Sequence, residues 1–270
     1  THFHAILDAM TSPSVRRYVE TSIHSDLATE PATTTVAYGL QNYLMNDPEY
    51  MRLYRIVGGN EQIATALGSR LAASVRLGTR VTEVVCRSDG RLDLVWRCGD
   101  LMERNTFDVV IVALPVNALS AITFTGDSLA PAMERHVVHH DHPAHYLRIT
   151  LLLDGTVPTV PGGDDYLMVD AFGGACLYVE TARDPVTSHG VLGWLVGGEA
   201  ARTMATWTDD DLVAAAVDAL PPPLDACRNR LLEGRVHRWI DAVSAVPGGW
   251  KPLPVAARHR PATGEPALFV

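Results

Sequence analysis

The densest group of side chains able to do chemistry is His136, His139, His140, His142 and His145, with Asp141 among them. His136 and His140 stand four apart, a spacing that would set both on one helical face and let them share a zinc ion. No acid or cysteine completes a second ligand pair at a defined spacing, and Pro143 directly after His142 interrupts a helix. A solvated loop leading into a strand near Tyr146 is the better reading, and a general-base histidine from the group stays open. Ser120, Ser188 and Ser244 lack a Gly-x-Ser-x-Gly setting, which argues against a hydrolase triad. Asp209, Asp210 and Asp211 follow Thr208 and read as first-turn acids of a capped helix, not as metal ligands. Asp164 and Asp165, after Pro161-Gly162-Gly163, read as part of a turn. Arg148 is different, because it stands among Leu147, Ile149, Leu151 and Leu153. Strand alternation sends Arg148, Thr150 and Leu152 to the opposite face, where a charge must be either paired or wet. An outer face and a partly polar cavity are both open; in a cavity the planar guanidinium suits a substrate carboxylate.

Positioning such residues requires elements, and the apolar spacing supplies them. Ile6, Leu7 and Met10 stand at helical spacing, and Pro13 after Ser12 suits the first turn of a helix carrying Val15, Tyr18, Val19 and Ile23. A second helical pattern runs over 33–44. Arg55-Ile56-Val57 is a short extended entry to Gly58-Gly59-Asn60, with Asn60 placed to cap a helix striped by Ile63, Leu67 and Leu71. Gly68 inside that helix costs roughly 1 kcal/mol relative to alanine and predicts a close backbone approach there. The period then becomes two, predicting strands over 75–77, 80–86 and 92–97, with Ser88-Asp89-Gly90 as a turn. The apolar run 107–113 reads as a strand buried on both faces and ended by Leu114-Pro115. A short extended piece at 122–124 and a helix over 129–137 follow. Strands are expected over 146–153, 166–169, 175–180, 191–196 and 231–239, a helix from Thr208 to the prolines 221–223, and loops over 243–266.

Composition bounds the function. The 270 residues are 47% hydrophobic and 20% charged, enough apolar material for a sizeable core and too much for a disordered chain. Lys and Arg total 22 against 31 Asp and Glu, a net charge of −9 without a basic run, which disfavours nucleic acid and anionic membranes as partners. Cys86, Cys98, Cys176 and Cys227 lie far apart and read as buried thiols of a reducing compartment, so the expected location is the cytoplasm. No window of about eighteen apolar residues is present, so no membrane span is expected. The start at Thr1 inside a helical pattern and the apolar end Ala267-Leu268-Phe269-Val270 predict an internal piece of a longer protein.

Val57-Gly58-Gly59-Asn60, the stretch from Val75 through Arg80-Val81-Thr82-Glu83-Val84, Ala113-Leu114-Pro115 and Ile122-Thr123-Phe124 occur in a telling order. Together they resemble the middle of the flavin-dependent amine oxidase superfamily, which includes monoamine and amino-acid oxidases, protoporphyrinogen oxidase and phytoene-desaturase-like enzymes. Gly173-Gly174-Ala175-Cys176-Leu177-Tyr178, Arg238-Trp239-Ile240-Asp241-Ala242 and Pro247-Gly248-Gly249 fit the same family. No single motif is specific; the ordered set, over about 50–270, carries the resemblance.

The resemblance implies an α/β fold in which part of a Rossmann-like FAD-binding domain is interleaved with a substrate domain of mixed or antiparallel sheet plus helices. Residues 55–125 and 241–270 would belong to the FAD-binding domain, 1–54 to a helical part of the substrate domain, and 126–240 to its remainder. The implied cofactor is FAD, with the Val81 backbone beside the adenine, Gly58 and Gly59 turning the chain, and Leu114 and Pro115 near the cofactor at a strand's carboxyl end. Arg148 falls at about the place of a lysine that such enzymes bond through water to flavin N5, and Trp239 would face flavin or substrate. These two are the candidate catalytic residues. The paired tyrosines of monoamine oxidases have no match after Trp239. The Gly-x-Gly-x-x-Gly fingerprint is also absent, as is a Gly-Asp or Gly-Glu segment after the last strand, so this chain alone is expected not to bind FAD tightly or to be active. The implied function is oxidation of a C–N or C–C bond of a small-molecule substrate by hydride transfer to flavin N5. A desaturase or isomerase of an apolar polyene-like substrate, and a non-catalytic binding module, are the alternatives.

Overall fold

The structure is a computed structural model that describes residues 1–45, 56–160, 166–180, 188–261 and 268–270. Arg55, the 161–165 turn and Ala267 lie outside the described residues.

Helices α1 (His4–Asp8), α2 (Pro13–Leu27) and α3 (Val36–Met45) open the chain. Ser12 is extended and its Oγ accepts from the Val15 N–H at 3.5 Å, while Pro13 takes the first helical position, where its missing N–H is harmless. Ala28, with φ of 57°, ends α2 in the left-handed region. In α4 (Glu61–Arg70) Asn60 does not act as the expected cap. It is itself helical, and its Oδ1 accepts from the Ile56 N–H at 3.4 Å. No residue of α4 is buried, and a Cβ built on Gly68 would meet nothing within 4 Å. Among the described residues, the close approach expected at Gly68 is absent.

Strands β1 (Thr79–Cys86), β2 (Leu92–Cys98) and β3 (Leu101–Phe107) form an antiparallel meander. The stretch 75–77 is irregular instead of extended in a ladder, and β3 was not visible in the apolar pattern. The long strand expected over 107–113 shrinks to β4 (Val110–Ile111). Next come α5 (Val116–Leu119), β5 (Thr123–Thr125) and α6 (Leu129–His140). Leu129, Ala132, Met133 and His136 recur at helical spacing and are buried, so His136, His139 and His140 ride on a helix and not on the solvated loop expected for them.

Strands β6 (Pro143–Asp154), β7 (Tyr166–Val169), β8 (Ala175–Val179) and β9 (His189–Gly197) follow, then α7 (Gly198–Met204) and α8 (Asp209–Asp218). Thr208 caps α8 as expected, accepting from the Asp211 N–H at 3.2 Å. After a 3₁₀ stretch (Pro222–Arg230), β10 (Leu231–Ser244), α9 (Val255–Arg258) and β11 (Leu268–Phe269) complete the order.

The chain folds as two compact, interleaved units: Thr1–Leu44 with Asp141–Lys251, and Met45–His140 with Pro252–Val270. In the first, an antiparallel sheet of order β10-β6-β9-β8-β7 buries one face. Leu147, Ile149, Leu151 and Leu153 of β6 and Leu192, Trp194 and Val196 of β9 pack there with Ala201, Met204, Leu212 and Ala216 of α7 and α8. The Trp194 Nε1–H donates to the Ala216 carbonyl at 3.0 Å, which removes the cost of burying the indole nitrogen. Each such aliphatic side chain contributes about 1.5–3 kcal/mol on burial. In the second unit the sheet order is β3-β2-β1-β5, with β5 parallel to β1, and β4 pairs parallel with β11. Its core is smaller, built from Val84, Leu92, Val110, Leu119, Leu129, Met133 and Leu268. The fold is thus α/β with parallel and antiparallel pairing. Of the four cysteines expected to be buried, Cys176 and Cys227 are, whereas Cys86 is half-buried and Cys98 is exposed at the end of β2. Among the described residues no helix is long and apolar enough to cross a membrane.

Candidate active site

The first unit offers a second sheet face, opposite the core. Register places Tyr146, Arg148, Thr150 and Leu152 of β6 beside Trp239, His237, Arg235 and Glu233 of β10. On the other side Arg148 stands opposite Leu195 and Thr150 opposite Gly193. Alternation along β6 is unbroken from Leu147 to Leu153, each odd position buried and each even one half-buried.

Arg148 lies across β9. A Cβ on Gly193 would sit 2.5 Å from its Nη2 and 2.9 Å from its Cζ, so the glycine leaves the room the guanidinium fills. Its Cζ rests 5.1 Å from the Tyr178 ring centroid, a cation–π distance, and its Nη2 donates to Glu180 Oε1. The charge expected to need a partner therefore has one within the chain. Trp239 lies on this same face, two positions from the residue opposite Arg148. It is half-exposed and stacks on His237 at 5.9 Å with the rings 16° apart.

α2 covers one end of the face. Tyr146 Oη donates to the Asp26 carbonyl at 2.6 Å, and a Cβ on Gly197 would lie 2.9 Å from the His24 carbonyl oxygen. His24 is buried, bonds the Gly174 carbonyl through Nδ1 at 2.9 Å and faces Glu30 through Nε2 at 3.2 Å. Burial alone would lower its pKa, but the hydrogen bond and charge of Glu30 raise it overall, while the same bond lowers Glu30. A cleft of about 320 Å³ lies here, lined by Glu30, Asp141, His142, His145 and Glu199 among others, and it includes neither Arg148 nor Trp239.

In the second unit, Val81 lies at a bulge. It stands opposite Trp96, yet Glu83 already stands opposite Val95, so Thr82 is the extra residue. On its other side β1 is paired with β5 only over Glu83, Val84 and Val85. Among the described residues, Thr79 to Thr82 have no strand on that edge. Val81 also lines a cleft of about 330 Å³ with Leu94, Trp96, Asn105, Phe107 and Arg76. The Trp96 Nε1–H is buried without an acceptor among the described residues, and Arg76 stacks over the indole at 5.2 Å. Gly58 and Gly59 have φ of 84° and 95° in the turn before α4, a backbone that β-carbon-bearing residues resist. Leu114 and Pro115 follow β4 at its carboxyl end, with Pro115 entering α5 from extended backbone. No contact joins Gly58, Gly59, Val81, Leu114 and Pro115 into one cluster among the described residues.

The histidines on α6 sit close together: the rings of His136 and His140 are 4.6 Å apart, and those of His139 and His140 are 4.7 Å apart. Burial, followed by the charges of His140, His139 and His259, pushes His136 down to about 4. Among the described residues no group of three or more ligating side chains is arranged to hold a metal ion. Sequence reasoning missed Glu180 as the partner of Arg148; a lone glutamate at a strand's end gave no signal.

The family described as flavin containing amine oxidoreductase matches residues 14–270. No curated protein matches the chain. The fold is similar to cyclohexylamine oxidase from Brevibacterium oxydans IH-35A, at a TM-score of 0.64 and 17% identity, covering 93% of this chain and 57% of that one. It is similar also to wild-type putrescine oxidase bound to putrescine, at a TM-score of 0.69 and 16% identity, covering 91% of this chain and 56% of that one. The chain spans little more than half the length of these solved structures. The family match covers nearly every residue, and the chain therefore belongs to the flavin containing amine oxidoreductases, whose membership implies a flavin cofactor.

Proposed function

We propose that the protein is an FAD-dependent oxidoreductase acting on a C–N or C–C bond of a small substrate. The flavin, when bound, supplies the hydride acceptor at N5. The first unit is the substrate-binding part: Arg148 orients an anionic group of the substrate, and Trp239 with His237 supplies an aromatic wall that excludes water. The second unit holds part of the cofactor, with the Val81 amide and carbonyl meeting the adenine, Gly58 and Gly59 admitting a close backbone, and Leu114 and Pro115 bordering the same group.

The observation that carries this reading is the setting of Arg148, a guanidinium held over a glycine on the polar face of an otherwise apolar strand. Fixed, partly desolvated charges of this kind orient substrates. A polyene-like substrate has less support, because this polar face carries an ion pair where such a substrate would need an apolar wall. Anaerobic mixing of the full-length protein with small amines or amino acids should bleach the flavin absorbance, and Arg148→Met should raise KM more than Arg148→Lys does. No bleaching by any amine or amino acid would overturn the reading. For the cofactor, Val81→Pro should weaken FAD binding strongly and Val81→Ala little, since proline removes the amide donor; equal losses at equal stability would count against Val81. The 270 residues expressed alone should purify colourless, and a stoichiometric flavin spectrum would defeat that expectation.

A further inference from the structure

His24 stands between two acceptors: its Nδ1 lies 2.9 Å from the Gly174 carbonyl oxygen and its Nε2 lies 3.2 Å from Glu30 Oε1. A neutral imidazole carries one proton, so either tautomer would turn a lone pair on one of these oxygens. Only the imidazolium donates to both. The side chain is 4% exposed, and a charge so deeply placed requires the pairing that Glu30 provides. Gly198, with φ of 60°, lets the two meet, because a Cβ there would collide with both Glu30 Oε1 and His24 Nε2. The same Glu30 oxygen accepts from the Glu199 N–H at 3.0 Å. α7 starts behind Gly197, an N-cap residue without a side chain, so Glu30 caps this helix from a distant part of the chain.

We propose that His24 and Glu30 form a proton-operated latch on α7, closed while His24 is an imidazolium and released when the ring turns neutral. The neutral ring keeps its proton on Nδ1, because Gly174 is buried and its carbonyl could not turn to water, whereas Glu30 is 44% exposed and can. The lone pair then left on Nε2 repels the Glu30 carboxylate, which swings out and takes the cap from the Glu199 N–H. Glu30, Gly198 and Glu199 line the cleft of about 320 Å³, so release also reshapes one of its walls.

The charges around the ring fit this assignment. Burial works against the proton on His24, but the hydrogen bond and charge of Glu30 outweigh it, so release falls above the ordinary 6.5. Arg17, further back on α2, opposes the proton while its own guanidinium is held by Asp170 at 2.7 Å. On α7 the Glu199 carboxylate is turned to Arg202 at 2.8 Å. β8 brings Cys176 and Tyr178, both pushed up by burial and therefore neutral, and β9 ends in Gly197 against α2. Across the cleft stand Asp141, His142 and His145, the last paired with Asp241 at 3.3 Å.

The test uses the full-length protein. With ring-labelled histidine, NMR should show both His24 nitrogens protonated below 6.5 and a titration above it, assigned by its loss in His24→Gln. Hydrogen exchange, corrected for the intrinsic rate, should show protection of the Glu199 amide falling about fivefold or more as His24 titrates. In His24→Gln that protection should no longer depend on pH. Glu30→Gln keeps an acceptor oxygen but not the charge, so His24 should titrate lower and the loss of protection should move with it. Should His24→Gln fail to fold, Glu30→Gln decides. A His24 that titrates at or below 6.5, a single protonated nitrogen below 6.5, or protection that falls alike in wild type and His24→Gln overturns the proposal.

Discussion

The two units treat their apolar residues in opposite ways. In the first, β6 offers Leu147, Ile149, Leu151 and Leu153 at strand spacing, and all four are fully buried beneath α7 and α8. In the second, α4 offers Ile63 and Leu67 at helical spacing, followed by Leu71 just past its end, and each is at least half-exposed, with Val57, Leu77 and Ile111 more exposed still. The period of a segment marks a face that burial would stabilise, whereas burial itself requires an opposing layer. Glycine shows the same contrast. Gly234 lies under Val213 of α8 with no room for a side chain, and a Cβ at Gly68 would meet no described residue within 4 Å.

The largest effect that could break the comparison is at the cores. Trp194→Ala should cost about 3–5 kcal/mol in urea unfolding, because it empties the centre of the first unit. Leu67→Ala should cost less than about 0.5 kcal/mol; a loss comparable with that of Trp194→Ala would mean that α4 is packed in solution. Next come the glycines. A Cβ at 234 would meet the Val213 methyls at 2.4 and 2.5 Å, so Gly234→Ala should destabilise by about 1–3 kcal/mol. Gly68→Ala should stabilise by about 0.5–1 kcal/mol through helix propensity. Effects of the same sign at the two glycines would defeat the contrast.

The units should also differ in their response to pH. His24 binds its proton more tightly folded than unfolded, so its contribution is whole below its ordinary 6.5 and fades as pH rises through the higher folded value. Glu30 contributes above its ordinary 4.5 and fades as pH falls through its lower folded value. The pair therefore supports the first unit most between those limits, and His24→Gln should flatten the decline above them. His136 prefers to be neutral in the fold, so the second unit should lose stability as pH falls from 6.5 towards about 4. Removing that loss with His136→Leu, read as urea midpoints across this range, checks the assignment; an unchanged slope would refute it. Smallest is Ser25→Ala, whose buried hydroxyl has no partner among the described residues, so stability should hold or rise by up to about 1 kcal/mol.

Legibility in the sequence followed how local the cause was. The alternation in β6 and the oddness of Arg148 could be read directly, because both depend on neighbours within a few residues. The partner of Arg148 lies 32 residues away and reaches it only through the order β6-β9-β8 and the missing side chain of Gly193, which no local pattern reports. β3 was hidden because Met102, Glu103, Arg104 and Asn105 are all exposed and give an edge strand no alternation. The histidines of α6 misled differently: polar residue types implied a loop, while Leu129, Ala132 and Met133 had already set a helical period that carries His136 into the core. Val81 shares its parity with Glu83, so plain alternation would put both on one face; the bulge sets Val81 opposite Trp96 with Val84 opposite Leu94 instead.

That bulge also makes the two halves of β1 independently editable. The pairs Glu83↔Val95, Val84↔Leu94, Val85↔Asp93 and Cys86↔Leu92 lie wholly beyond the extra residue, as does the parallel ladder with β5. A one-residue insertion or deletion before Glu83 would be taken up at Thr82, re-aiming the outer half while the inner half keeps its register and its place in the core. A length change on the far side of Glu83 has no such slack and would turn Val84 out of the core. The strand thus has a built-in splice point, where its outer stretch can change in length while the sheet behind it stays fixed.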